Sequence, residues 1–301
     1  MSAATYEEFE ATQRREDYPP PQELLSALKK LVTDSSTPIE KIAKEAAAPW
    51  INNTTEEYPD FSLLWRTLLE AINAFQDHND KFVDFVLALT KLPDGDGVFK
   101  DLPEFDQHFT EFALAMQDFR NDELNREARR QGQVNEHAFM AKLSSRGHGQ
   151  NCLPIDELVR SGFVFRSTCE FAPWEKVNFP DIDDFFDEGD DEEEWREYRD
   201  RELELHSIKI LNIKVPAAYH WLKHEGDRIY RLQGPMNGEY EWQNEALQVK
   251  WTGEQGYSKE RFAFWRERFE WMTKVTALEH STQRLAKECA ELMQAIEEKQ
   301  Q

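Results

Sequence analysis

The sequence predicts an all-α fold, a multi-helix globular bundle carrying an acidic disordered insertion. Three observations lead there. Apolar residues recur at intervals of three and four through most of the chain. Hydrophobic residues make up 40% of 301 positions, enough for a sizeable core. Ten of the fourteen residues from Asp181 to Glu194 are acidic, a block that repels itself rather than packs.

Residues 1–20 are polar and acidic and read as a disordered tail. Residues 21–299 read as a single helical domain, with the acidic insertion at about 178–197 and a loop at about 233–255. The stretch "PPPQELLSALKKLVTD" opens on prolines that suit a helix start, and Leu24, Leu25, Leu28, Leu31 and Val32 then share a face. "TPIEKIAKEAAAPW" is a second helix, expected to stop before Pro49. "DFSLLWRTLLEAINAF" and "DKFVDFVLALTKL" form two more, joined by the short "QDHN" connection as a helical hairpin. "LPDGDGVFKDLP" is a loop, with a helix expected from Pro103 to Met116. Residues 121–131 are mostly charged and fit an exposed helix or a bridge, and "NEHAFMAKLSSRG" is a helix beyond them. The run 163–171, "FVFRSTCEF", reads equally as helix or strand. "VPAAYHWLKHEGDRIY" is a helix with Pro216 in its first turn and Gly226 interrupting or bending it. The terminal "STQRLAKECAELMQAIEEK" takes Ser281 or Thr282 as its cap and Cys289 into its apolar stripe.

The formal net charge of -23 argues against nucleic acid and anionic membranes as partners, because phosphate binding needs a basic footprint. No window has the roughly 18 apolar residues of a membrane span. Three cysteines without C-x-x-C spacing suit a reducing compartment, cytoplasmic or nuclear. No signal peptide is legible at the N-terminus.

Candidate chemistry is sparse. His220 and His224 have the i, i+4 spacing of metal ligands, but no further ligand can be placed beside them. "PDGDG" starts like a calcium loop and fails at Val98 and Phe99. His148 and Cys152 are close in sequence, which is no evidence that they meet. No metal and no cofactor is expected, and no phosphate-binding glycine loop occurs.

The stretch with most information is "GYSKERFAFWRERFEWM", residues 256–272. Ser258 caps a helix, with Tyr257 and Phe262 placed as a hydrophobic staple. At ~100° per residue, Phe262, Trp265, Phe269 and Met272 form one stripe. Phe264, Trp271, Val275 and Leu278 form a second, nearly opposite, which predicts an internal helix. Arg261 and Arg268 lie in a gap between the stripes with no acid beside them on the same face. Either they pair with acids elsewhere in the fold, or Arg261, Arg268 and Trp265 bind an anion or an acidic partner motif.

"PAAYHWLKHEGDRIY", "GYSKERFAFWRERFEWM" and "RLAKECAELM" resemble the C-terminal half of a fungal family, domain of unknown function 3632. "LWRTLLEAI", "DKFVDFVLALTKLP" and "NEHAFMAKL" resemble its earlier helices, though an aromatic usual just upstream of the last is missing. The resemblance covers most of residues 60–298. It implies a filamentous-fungal origin and a mainly helical fold, and it supplies no activity and no catalytic residue. The function expected from the sequence is a non-enzymatic interaction or regulatory protein, whose partner is another protein. The alternative is an enzyme or small-molecule-binding protein with an anion site near Arg261 and Arg268. The sequence says nothing of oligomeric state.

Overall fold

The computed structural model describes residues 5–52, 60–93, 97–109, 126–147, 158–171, 191–205, 207–236 and 250–300. Among them the chain is helical, with no β-strand; an isolated antiparallel bridge joins Gly234 to Tyr257. Two compact units divide it, residues 1–118 with 127–156, and residues 119–126 with 157–301. Both lie within the stretch read from sequence as one helical domain and its tail.

The first unit begins with α1 (Tyr6–Gln13), where the sequence suggested a disordered tail. Thr5 and Glu8 form a reciprocal capping box at its start. Tyr6, Phe9 and Gln13, at i, i+3 and i+7, are all buried. The Tyr6 hydroxyl donates to the Leu25 carbonyl, and the rings of Tyr6, Phe9 and Phe75 pack together. Three buried side chains anchor an otherwise charged helix.

Helices α2 (Gln22–Thr33) and α3 (Ile39–Ile51) pack against each other, burying the predicted leucine face of α2 and Ile42, Ala43, Ala46 and Ala47 of α3. α3 runs on through Pro49 instead of stopping before it. Beyond the missing Pro49 N–H the helix ends with the Asn52 N–H on the Ala48 carbonyl at 3.0 Å. Trp50 is buried there, with its indole N–H on the Asp60 carbonyl at 2.7 Å. α4 (Ser62–Ala74) and α5 (Asn79–Leu89) are joined by a 3-10 turn at Gln76–His78. Trp65 on α4 donates to the Pro103 carbonyl at 2.7 Å and meets Phe105 edge to face, which fixes the loop before residues 105–109.

The long α6 (Arg126–Gly147) takes in much of the charged stretch and the "NEHAFMAKL" segment as one helix. Asn135 ties it to the α4–α5 corner: its amide donates to the Asn73 carbonyl at 2.9 Å, and its own carbonyl accepts from Asn79 at 2.8 Å. Lys142 and Arg146 pair with Asp80, and Arg146 also with Asp84, one helical turn apart on α5.

The second unit holds α7 (Leu158–Phe165), a π-helical turn at Arg166–Glu170, α8 (Glu192–Leu205), α9 (Leu211–Ile229), α10 (Lys259–Met272) and α11 (His280–Lys299). The ambiguous run 163–171 is therefore helical through Glu170. Of the acidic insertion, residues 191–197 are described: they open α8, with Asp191 accepting from the Glu193 and Glu194 N–H groups. The rest lies outside the described residues, as does most of the 233–255 loop. α9 begins at Leu211, so Pro216 sits inside the helix and not in its first turn. Gly226 is buried within α9; a Cβ there would lie 2.6 Å from Ile296 Cδ1, so the glycine admits α11 close against α9. α11 starts at His280, earlier than the Ser281 or Thr282 cap suggested, and Thr282 is buried.

Candidate functional site

The second unit concentrates its buried charge on the π-helical turn. Ser167 and Thr168 hydroxyls both donate back to the Val164 carbonyl, at 3.1 and 2.6 Å, competing with the backbone ladder where α7 widens. The turn is the C-terminal end of a helix, so its last carbonyls lack intrahelical partners and carry partial negative charge. Three of them find donors elsewhere. Lys214 on α9 donates to the Ser167 carbonyl at 3.1 Å. Arg268 Nε on α10 donates to the Cys169 carbonyl at 3.0 Å. The Lys250 N–H meets the Glu170 carbonyl at 2.6 Å.

The Glu170 side chain is the centre of the cluster. Arg261 donates from Nε to Oε1 at 2.6 Å and from Nη2 to Oε2 at 2.7 Å, a bidentate fork. The Trp265 indole adds a bond to Oε1 at 2.7 Å, and Arg166 stands 3.7 Å from Oε2. Both Glu170 and Arg261 are 1% exposed. A buried carboxylate is tolerated only when paired and hydrogen-bonded, and this one is both.

Arg261 is placed by the start of its own helix. The Ser258 hydroxyl caps α10 by accepting the Arg261 N–H at 3.0 Å, as the sequence predicted. Gly256, at φ +88°, turns the chain into the cap, and its carbonyl accepts from Arg261 Nη1 at 2.8 Å. A Cβ at Gly256 would fall 2.2 Å from the Gly234 carbonyl oxygen, so the turn needs glycine for conformation and for space. On the next turn Trp265 stacks on Phe165 with ring centres 5.0 Å apart.

The structure thus brings two of the three sequence-predicted residues, Arg261 and Trp265, onto one carboxylate. Arg268 reaches the same turn by a different atom and lies with its guanidinium 4.1 Å over the Trp271 ring. Burial lowers its pKa from the usual arginine range, with the Cys169 thiol opposing. The two apolar stripes of α10 are unequal. Phe262, Trp265, Phe269 and Met272 are fully buried, whereas Phe264 and Trp271 on the other side are half-buried. α10 is therefore a one-sided core helix, with its outer aromatics covered by neighbours such as Trp251, whose ring lies 5.3 Å from Phe264.

Glu170 and Lys214 were not singled out from the sequence, although a signal exists for each. Glu170 is the one acid in the apolar run "FVFRSTCEF", and Lys214 is one of two lysines in "IKILNIKV". Such a charge must be paired or desolvated in a helical core. Burial pushes the Lys214 amine down to about 8. Cys169 and Cys289 are free and fully buried, and burial raises both thiols well above their ordinary value. His220 and His224 are half-buried on α9. His148, Cys152 and Asp94, Gly95 and Asp96 of the "PDGDG" turn lie outside the described residues.

A family model described as a protein of unknown function, DUF3632, matches residues 65–269. The chain belongs to the DUF3632 family. The DUF3632 match begins at Trp65, which holds the Pro103 loop, and ends at Phe269 on the buried stripe of α10. It includes Asn135, Glu170, Lys214, Arg261 and Arg268, so the polar corner of the first unit and the π-turn cluster of the second both lie within DUF3632. No curated protein and no solved structure matches the chain.

Proposed function

We propose that this DUF3632 chain is a non-enzymatic interaction protein that recruits a basic protein partner through its acidic segment. The observation that carries the reading is the start of α8. Asp191, Glu192, Glu193 and Glu194 are all exposed, at the end of the block that supplies ten acids in fourteen residues. Carboxylates around a helix N-terminus interact favourably with the helix dipole, and these face solvent. A dense acidic surface steers and selects a basic partner more than it adds raw affinity. The buried free thiols fit a reducing, intracellular setting.

The test is affinity capture with the full chain and with a variant lacking residues 181–194. A partner retained by the full chain, lost in the variant and released by moderate salt supports the reading. An identical set of retained proteins from both overturns it.

Arg268 favours a second reading, an anion site on α10. Its Nε is engaged by the Cys169 carbonyl and its face by Trp271, and no carboxylate among the described residues pairs with it. A half-desolvated guanidinium stacked on an indole keeps its fork edge suited to a carboxylate or phosphate. Thermal-shift titration with phosphate and citrate, against Arg268→Ala, tests this. A shift in the parent absent from the variant supports it, and equal shifts in both remove it.

A further inference from the structure

The α4–α5 corner of the first unit is unusually polar for a core. Asn79 is 4% exposed and Asn135 is 2% exposed. Asn135 spends its side chain on the corner: Nδ2 goes to the Asn73 carbonyl, and Oδ1 accepts from Gln131 at 2.9 Å. Asn79 Nδ2 returns to the Asn135 carbonyl. These bonds bring Asn73 and Asn79 to one residue, yet they leave specific atoms unserved. Asn79 Oδ1 and both amide atoms of Asn73, Oδ1 and Nδ2, are buried without a hydrogen-bond partner among the described residues, as is Nδ1 of the adjacent His78.

Three unserved amide atoms at one corner are a large cost, because each buried donor or acceptor without a partner carries its full desolvation penalty. Turning either amide over does not remove the problem. Asn73 lacks partners for both its ends, and Asn79 would exchange a satisfied donor for an opposed one. The set wants a guest that donates to two carbonyl oxygens and accepts from one N–H. That is the hydrogen-bond valence of water, and buried waters typically make about three bonds to groups of this kind.

We propose that ordered internal water is bound at the α4–α5 corner, donating to Asn73 Oδ1 and Asn79 Oδ1 and accepting from Asn73 Nδ2. The water extends the Asn135 clasp, so that α6 is joined to the corner by a hydrated polar joint rather than by side chains alone. His78 Nδ1, one residue away, supplies a further pole.

Oxygen-17 relaxation dispersion of the full chain counts water molecules with long residence. The proposal expects that count to fall by at least one in Asn79→Leu and in Asn73→Leu, with helical circular dichroism retained. Asn73 is only half-buried, so its variant keeps the test open where Asn79→Leu fails to fold. A crystal structure of the parent chain at about 1.5 Å is the second arm. Solvent density within hydrogen-bond reach of both asparagines supports the site. An unchanged count in the folded variants, or density showing these amides bonded directly to protein groups, overturns it.

Discussion

Arg261 grips Glu170 with two parallel hydrogen bonds, 2.6 and 2.7 Å long, across 91 residues of sequence. The pair ties the π-helical turn to α10, and Trp265 and Gly256 take up further hydrogen bonds on the two partners. Removing one member strands the other in a desolvated interior, which typically costs about 3–5 kcal/mol. Arg261→Met and Glu170→Gln should each lose stability of that order in urea unfolding. Arg261→Lys should lose much of it as well, since a point charge cannot reproduce the fork. The double variant should be more stable than the sum of the singles predicts; simple additivity would show that the pair is not coupled.

Lys214 makes stability depend on pH in the alkaline range. Burial lowers its folded pKa to about 8, below the ordinary lysine value of about 10.4. Between those values the unfolded chain binds more protons than the folded chain, so stability should rise with pH there. The penalty for burying the charged amine is fully present below about pH 8. Lys214→Met should remove this rise and should stabilise the protein at pH 7, less the lost bond to the Ser167 carbonyl. Chemical denaturation at pH 7 and pH 9.5, for parent and variant, measures both.

Gly256 is expected to tolerate no side chain. Its φ of +88° and the 2.2 Å approach of a Cβ to the Gly234 carbonyl act together. Gly256→Ala should cost more than the ~1 kcal/mol scale of an ordinary backbone effect. Gly234 makes the control. Its φ is +90°, but a Cβ there has open space, so Gly234→Ala should cost less. Equal melting temperatures for the two variants would mean that the close approach is irrelevant.

The N-terminal helix should contribute to the first unit's stability. Phe9→Ala removes a buried ring packed on Tyr6 and Phe75, a change that in a core costs roughly 3 kcal/mol. Burial also raises the Tyr6 hydroxyl pKa well above the ordinary tyrosine value, which ties this ring to the folded state. Ultraviolet titration of tyrosine in the parent and in a chain lacking residues 1–14 should differ by one late-titrating phenol. A melting temperature unchanged by the truncation would show that α1 is not docked.

Much of the fold was legible because helical burial is a local, periodic demand. The leucine faces of α2 and α4 and the Ser258 cap follow from residues within a turn or two of one another. α1 escaped notice because two aromatics among acids make a weak stripe, though its Thr5–Glu8 capping box was readable. Pro49 and Pro216 misled for the opposite reason: local rules end or start a helix at proline, and burial of Trp50 and of the α9 face outweighs them. The site was half legible. Arg261 and Arg268 stood out as cations without a nearby acid on their own helix, but their partners lie about 90 to 100 residues away.

By itself, then, the sequence determined that this chain is helical, that the stripe Phe262, Trp265, Phe269 and Met272 is core, and that two arginines beside it lack an acid on their own helix face. Only the tertiary structure decided which partners those are. It gave Glu170 to Arg261 and Trp265, and the Cys169 carbonyl to Arg268. Helical periodicity is set by neighbours along the chain. The pairing of a buried charge is set by which distant groups share its low-dielectric surroundings.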